Sequence, residues 1–170
     1  ILYLAAITFV VFKVFGSLEG PTKTGLFWVI YLFTCINIVG NSFSYQSMRR
    51  KYLYYQLYDP VELLIAKILF NFLKLVLAGL ILLFLQTIFS GESLINPGLF
   101  MKSFFLAAFG LTVILTMISA ISSFSENQNA LVAILALPLV IPVLLLGMRI
   151  SLVSERFFSD PAVGKYLSMI

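Results

Sequence analysis

An all-α integral membrane protein is the fold class this sequence predicts, on three observations. The 170 residues are 61% hydrophobic and only 11% charged, against about 25% charged in a soluble domain, so charge cannot cover a water-facing surface. Several apolar runs reach the roughly 20 residues that cross a hydrocarbon core as a helix. The alternation over about ten residues that marks the strands of a membrane barrel is absent.

Taken in order, residues 1–18 form a first span, with Lys13 close enough to its edge to snorkel. No basic region or small-residue cleavage site accompanies it, so it does not read as a signal peptide. Glu19-Gly20-Pro21-Thr22-Lys23 reads as a short turn. The second span, residues 25–45, is entered through Phe27, Trp28 and Tyr31, which suit a membrane interface. Within it Thr34, Asn37, Asn41 and Ser44 recur at helical spacing. In lipid such a face turns toward other helices, where each hydrogen bond contributes about 0.6 kcal/mol.

Residues 46–67 are the most polar and basic stretch of the chain, and 46–60 are its loop. Met48, Tyr52 and Tyr55 fall on one side of a short helix, with Arg49, Arg50, Lys51 and Gln56 around the rest. That is the pattern of an amphipathic segment lying in the membrane surface. Asp59-Pro60-Val61-Glu62 then opens the third span, residues 61–89. Asp59 is placed to cap it, Pro60 fits the first helical position, and Glu62 completes a capping box. Tyr58 and Leu63 are spaced for a hydrophobic staple. At about 1.5 Å per residue this span is longer than the hydrocarbon is thick, so its first turns lie outside or it tilts. Lys67, Asn71 and Lys74 share one of its faces. They read either as an interior-facing edge with snorkelling lysines or as a cationic wall facing an anionic substrate or lipid head group.

Gly91–Pro97 is a turn, and Asn96-Pro97 can cap a fourth span, residues 98–122. Ala108, Thr112, Thr116, Ser119 and Ser123 form a stripe of small residues that lets another helix approach closely. Asn37, Asn41, Thr112, Thr116 and Ser119 are therefore the candidate helix-packing residues. Ser125-Glu126-Asn127-Gln128 is a second capping box, opening a fifth span over 126–147. Pro138 and Pro142 each remove a backbone donor and crowd an earlier carbonyl, which predicts a kink. The kink reads as a tolerated bend or as a gating element. Ile150–Ser159 reads as an interfacial segment. Asp160-Pro161 repeats the cap at Asp59-Pro60, so a sixth span starts near 161. The whole of 1–170 reads as one transmembrane domain.

With alternating spans, residues 46–60 and the turn at 123–127 share one side. Arg49, Arg50 and Lys51 place that side in the cytoplasm, although Lys23, Lys102, Arg149, Arg156 and Lys165 fall on the other.

The seven carboxylates, Glu19, Asp59, Glu62, Glu92, Glu126, Glu155 and Asp160, all lie in turns, caps or tails, and there is no histidine. A proton-coupled carrier needs ionisable groups within its spans, and only lysines are there. No catalytic constellation, metal-ligand cluster or phosphate-binding glycine loop stands out. The single Cys35 sits mid-span with no partner for a disulfide. Energy for any work by this chain is therefore expected from another chain. A capped helix continuous with a long span would give an ATPase outside the membrane a rigid handle, and 46–60 reads equally as that handle or as a simple anchor.

The run Leu131-Val132-Ala133-Ile134-Leu135-Ala136-Leu137-Pro138-Leu139-Val140-Ile141-Pro142-Val143-Leu144-Leu145-Leu146-Gly147 resembles the proline-bearing fifth span of the CcmB family, heme exporter protein B. Leu53-Tyr54-Tyr55-Gln56-Leu57-Tyr58-Asp59-Pro60 and Leu64-Ile65-Ala66-Lys67-Ile68-Leu69 resemble that family's loop and third-span entry. The resemblance implies a six-span permease of ABC-exporter type without its own catalytic site, five of whose spans and the start of the sixth are present here. It implies an ATPase partner resembling CcmA, membrane partners resembling CcmC and CcmD, and a periplasmic heme chaperone resembling CcmE. It implies a place in the bacterial inner membrane, with ATP bound on the partner and heme handled by the complex. It also tips residues 46–60 toward an ATPase-coupling segment, carried by Met48, Arg49, Arg50, Lys51, Tyr52, Tyr55, Asp59, Pro60 and Glu62. No cofactor is expected on this chain, whose only conceivable heme ligands are Cys35, the tyrosines and Met48, Met101, Met117, Met148 and Met169. Two other readings stand beside this one: an ABC permease for a different lipid-linked or amphipathic anion facing Lys67 and Lys74, and a non-transporting membrane scaffold.

Overall fold

The computed structural model of the chain describes residues 6–11, 20–40, 42, 59–90, 96–125 and 127–154. Every regular element among these residues is an α-helix: α1 over residues 6–11, α2 over Gly20–Gly40, α3 over Pro60–Ser90, α4 over Pro97–Ser122 and α5 over Gln128–Ser154. Four of them, α2 to α5, are long and apolar enough to cross a membrane. Most of the expected first span with Lys13, the end of the second with Asn41 and Ser44, the segment 43–58 and the expected sixth span lie outside the described residues.

Local chemistry accounts for the helix starts. At α3 the Val61 N–H donates to the Asp59 carboxylate at 3.2 Å, and the Leu63 N–H reaches the Asp59 carbonyl at 3.1 Å. At α4 the Leu99 N–H donates to Asn96 Oδ1 at 3.4 Å, with Pro97 next in the chain. Each of these side chains satisfies a donor that a helix start otherwise leaves open.

Two boundaries differ from expectation. α2 begins at Gly20, five residues earlier than position 25. Gly20-Pro21 carries turn chemistry, but a proline in the first turn also suits a helix, since the donor it lacks has no partner there. α5 runs on to Ser154 rather than ending near Gly147. Residues 150–154, expected at the interface, form its last turn, with Ile150, Ser151 and Ser154 buried.

α2 and α4 are the central pair, and each packs against both α3 and α5. The core between them differs from the expected aromatic belt. Phe27 and Trp28 are 2% exposed and Tyr31 is fully buried, so these rings fill the interior instead of lining an interface. A ring with a polar tip suits both places, and the neighbours decide between them. The Trp28 indole donates to Ser151 Oγ at 3.1 Å. Tyr31 lies 5.4 Å from the Phe104 ring and stacks on Phe27 at 5.9 Å. Two glycines make the room. A Cβ on Gly79 would come within 2.3 Å of the Phe104 ring, and one on Gly147 within 2.7 Å of Trp28. Outward, α3 presents Leu69, Leu77 and Phe84 and α5 presents Ile134, Leu139 and Leu145, apolar faces of the kind that meet lipid.

Candidate functional site

The candidate site is the end of the bundle where α2 stops, α3 starts, α4 stops and α5 starts. Met48, Arg49, Arg50, Lys51, Tyr52 and Tyr55, expected from the sequence to couple to an ATPase, lie outside the described residues. Asp59, Pro60 and Glu62 are described and exposed, and they form the first turn of α3 and its cap. With no break between this turn and Ser90, α3 is one rod of 31 residues, about 46 Å long. It outreaches a hydrocarbon core of about 30 Å.

Below that first turn, a polar node fastens three helices together. Ser42 sits just past α2, its N–H on the Val39 carbonyl at 2.9 Å. The Lys67 ammonium donates to the Ser42 carbonyl, setting a positive charge against the negative end of the α2 dipole. Asn71 is fully buried. Its amide donates to Ser42 Oγ at 3.1 Å and to Thr116 Oγ1 at 3.0 Å, while Asn71 Oδ1 lies 3.2 Å from the Ser42 hydroxyl. One turn along α4, Ser119 Oγ donates to the Gly40 carbonyl at 3.0 Å. Buried polar groups are costly unless paired, so the satisfied amide defines one arrangement of α2, α3 and α4. Nearby, Ser122 Oγ and Gln128 Nε2 are buried with no hydrogen-bond partner among the described residues.

Lys67, Asn71 and Lys74 therefore do not form one cationic wall. Lys67 and Asn71 both turn to Ser42. Lys74 is exposed, with its ammonium 4.3 Å from the Phe70 ring centre. The expected packing residues also divide. Thr116 and Ser119 bond to neighbouring helices as above, whereas Thr112 is buried and donates to the Ala108 carbonyl of its own helix at 2.7 Å. Asn37 departs from the packing face: it is exposed and donates to the Phe33 carbonyl at 2.9 Å. Asn41 lies outside the described residues. Pro138 and Pro142 are both exposed, on the side of α5 opposite its packed residues Val132, Ala136 and Val140.

Sequence reasoning missed Ser42 and Ser151. Ser42 falls one position off the stripe read through Asn41 and Ser44, and Ser151 falls in the stretch read as interfacial. Nothing local marks either residue, because the partners that define them are 29 and 123 residues away.

The described residues hold no group of three or more histidine, cysteine or acidic side chains that could bind a metal. Cys35 is buried and unbridged. What the described residues of the site supply is a set of directional hydrogen bonds that fix the relative placement of α2, α3 and α4.

No curated protein and no solved structure matches the chain. A protein family does: residues 18–170 match the family described as CcmB protein. Its members are permease-type membrane components of a heme exporter ABC system in cytochrome c maturation, and they work in a complex with other Ccm components. A match over nearly the whole length, carried by several apolar membrane helices, leads to one conclusion: this chain is a multi-pass membrane protein that belongs to the CcmB family.

Proposed function

We propose that this chain is the membrane subunit that couples ATP hydrolysis, on a partner resembling CcmA, to heme export or to release of the heme-loaded periplasmic chaperone resembling CcmE. It acts in the bacterial inner membrane as a six-span permease beside subunits resembling CcmC and CcmD. Residues 46–60, on the cytoplasmic face, receive the ATPase. Met48, Arg49, Arg50, Lys51, Tyr52 and Tyr55 make the contact, and Asp59, Pro60 and Glu62 join it rigidly to the membrane. Pro138 and Pro142 supply the bend that lets α5 yield. Heme enters this scheme as cargo of the complex. ATP stays on the partner.

One observation carries the proposal. Both ends of the coupling segment emerge from a single hydrogen-bonded unit, since Ser42 at the end of α2 is tied to Lys67 and Asn71 near the start of α3. A push on the segment then moves α2 and α3 together instead of prying them apart. A node to Thr116 carries the movement into α4.

Reversing charge at Arg49, Arg50 and Lys51 together in the intact complex tests this. ATPase co-purification and ATP-dependent release of holo-chaperone are both expected to fall, with the chain still present in the membrane. Unchanged co-purification and unchanged cytochrome c yield overturn the proposal.

A further inference from the structure

α5 is tied to its neighbours at one end and not at the other. Among the described residues, every hydrogen bond between α5 and another helix falls within Gly147–Ser154. Trp28 of α2 donates to Ser151 Oγ at 3.1 Å, and Ser103 Oγ of α4 donates to the Gly147 carbonyl at 3.2 Å. The Trp28 ring also sits so close to Gly147 that a Cβ there would come within 2.7 Å of it. In the half that starts at Gln128 the buried contacts are apolar, through Val132 and Ala136, with Val132 beside Gly40 of α2. Two polar side chains lie at that end, yet neither makes a tie. Gln128 Nε2 and, in the last turn of α4, Ser122 Oγ are buried with no hydrogen-bond partner.

In a membrane this asymmetry matters more than it would in water. Lipid is as apolar as leucine, so apolar helix contacts are not driven together by exclusion of water, and directional bonds hold the placement. Between the tied half and the untied half stand Pro138 and Pro142. Neither has an N–H to give the helix, and each ring crowds the turn before it, so the rod bends most easily there. The lever from Gln128 to Pro138 is about 15 Å long. A bend of about 20° at its base moves the tip about 5 Å.

We infer that residues 128–137 are a swinging arm, hinged at Pro138 and Pro142 and pinned beyond them at Gly147 and Ser151. The arm moves against the unit of α2, α3 and α4 that the Asn71 node holds in place. The position in the structure is the inward one, with Val132 and Ala136 buried. Burying the Gln128 amide unpaired raises the free energy of that position. An outward swing carries the amide toward water at the membrane surface and returns that free energy, so Gln128 keeps the two positions close to balance. The inference rests on the coupling proposal only for what drives the arm, since the arm itself follows from how α5 is held.

The test measures distances between spin labels by pulsed electron resonance on the intact complex in lipid, with the chain's own cysteine removed by C35A. An inner pair at the exposed positions 37 and 130 reads the arm, and an outer pair at the exposed positions 22 and 149 reads the pinned end. The inner pair is expected to show two distances about 4 Å apart, and the outer pair one. P138L/P142L, which returns both N–H donors, is expected to leave the inner pair a single distance. Q128L removes the unpaired amide and is expected to shift the inner pair about fivefold toward the inward distance, the low end for one such group. A single inner distance with both prolines in place overturns the inference. So do inner and outer pairs that change in step, because α5 would then move as one rod, and two inner distances that persist in P138L/P142L. Q128L keeps the prolines, so a double variant that fails to fold does not remove the test, and a population that ignores Q128L also overturns the inference. An inner pair that answers to Q128L but not to ATP supports the arm and overturns the coupling proposal instead.

Discussion

The two ends of the bundle hold the same helices together by different physics. At the end beside residues 43–58, contact is polar: Ser42, Lys67, Asn71, Thr116, Ser119 and the Gly40 carbonyl, bonded one to the next. At the opposite end hydrogen bonds also cross between helices, from Trp28 to Ser151, Gln86 to the Lys23 carbonyl and Ser103 to the Gly147 carbonyl. There, however, a ring lock is added that the first end lacks: Phe27, Tyr31 and Phe104 in ring contact, with Phe104 against Gly79 and Trp28 against Gly147. A ring seated on a glycine has one fit and loses it with a small displacement. A hydrogen bond bends without breaking over a small displacement, so the polar node keeps its one arrangement as it moves. The end nearer the proposed energy input is thus the tethered one, and the far end is the fixed pivot.

The sharpest way to break this contrast is at the pivot. G79A places a methyl within 2.4 Å of two ring atoms of Phe104 and 2.9 Å of Tyr31, and both rings are fully buried. Loss of roughly 3 kcal/mol is expected, the upper end of ordinary overpacking, as a marked drop in unfolding midpoint in detergent. A neutral result would mean that the aromatic end also gives way.

A smaller effect is expected at the polar end. N71L keeps the size of the side chain but removes the amide that joins Ser42 to Thr116. Stability should fall by about 1–2 kcal/mol, and ATP-dependent chaperone release should fall further than stability alone accounts for. If release and stability decline in step, the node is only glue.

The smallest effect sharpens the contrast from outside. Lys74 is exposed, with its ammonium over the Phe70 ring, so K74Q should change stability by no more than about 0.5 kcal/mol and leave heme delivery intact. Loss of transport with unchanged stability would revive an anion-facing role for this residue.

How much of this was legible depended on the range of the interactions. The cap at Asp59-Pro60 and the one at Asn96-Pro97 are local, and the chain carries them openly. Helix existence was equally plain, because length and apolar content decide it. The role of Trp28 was not, since an indole at a membrane interface and an indole in a core have the same sequence signature. Ser151 and Gly147, more than a hundred positions on, make the difference. Asn71 was legible as a polar residue in an apolar span, but its partners were not, because Ser42 and Thr116 belong to other helices. The start of α2 was misread for a different reason: Gly-Pro serves both a turn and a helix entry.

The hydroxyls and amides within the spans fall into two classes, and that division bears on how the protein enters the membrane. Thr34, Asn37, Thr112 and Ser151 each donate to a carbonyl of their own helix, four residues back. Such a helix can leave the translocon alone with those groups already satisfied. Asn71 cannot, because its amide needs Thr116, which has not been synthesised when α3 is ready to insert. Trp28 waits longer still, for Ser151 at the end of α5. Biogenesis should therefore keep α2 and α3 beside a polar escort until α4 and α5 arrive, and assembly of the bundle follows the order in which these partners are made.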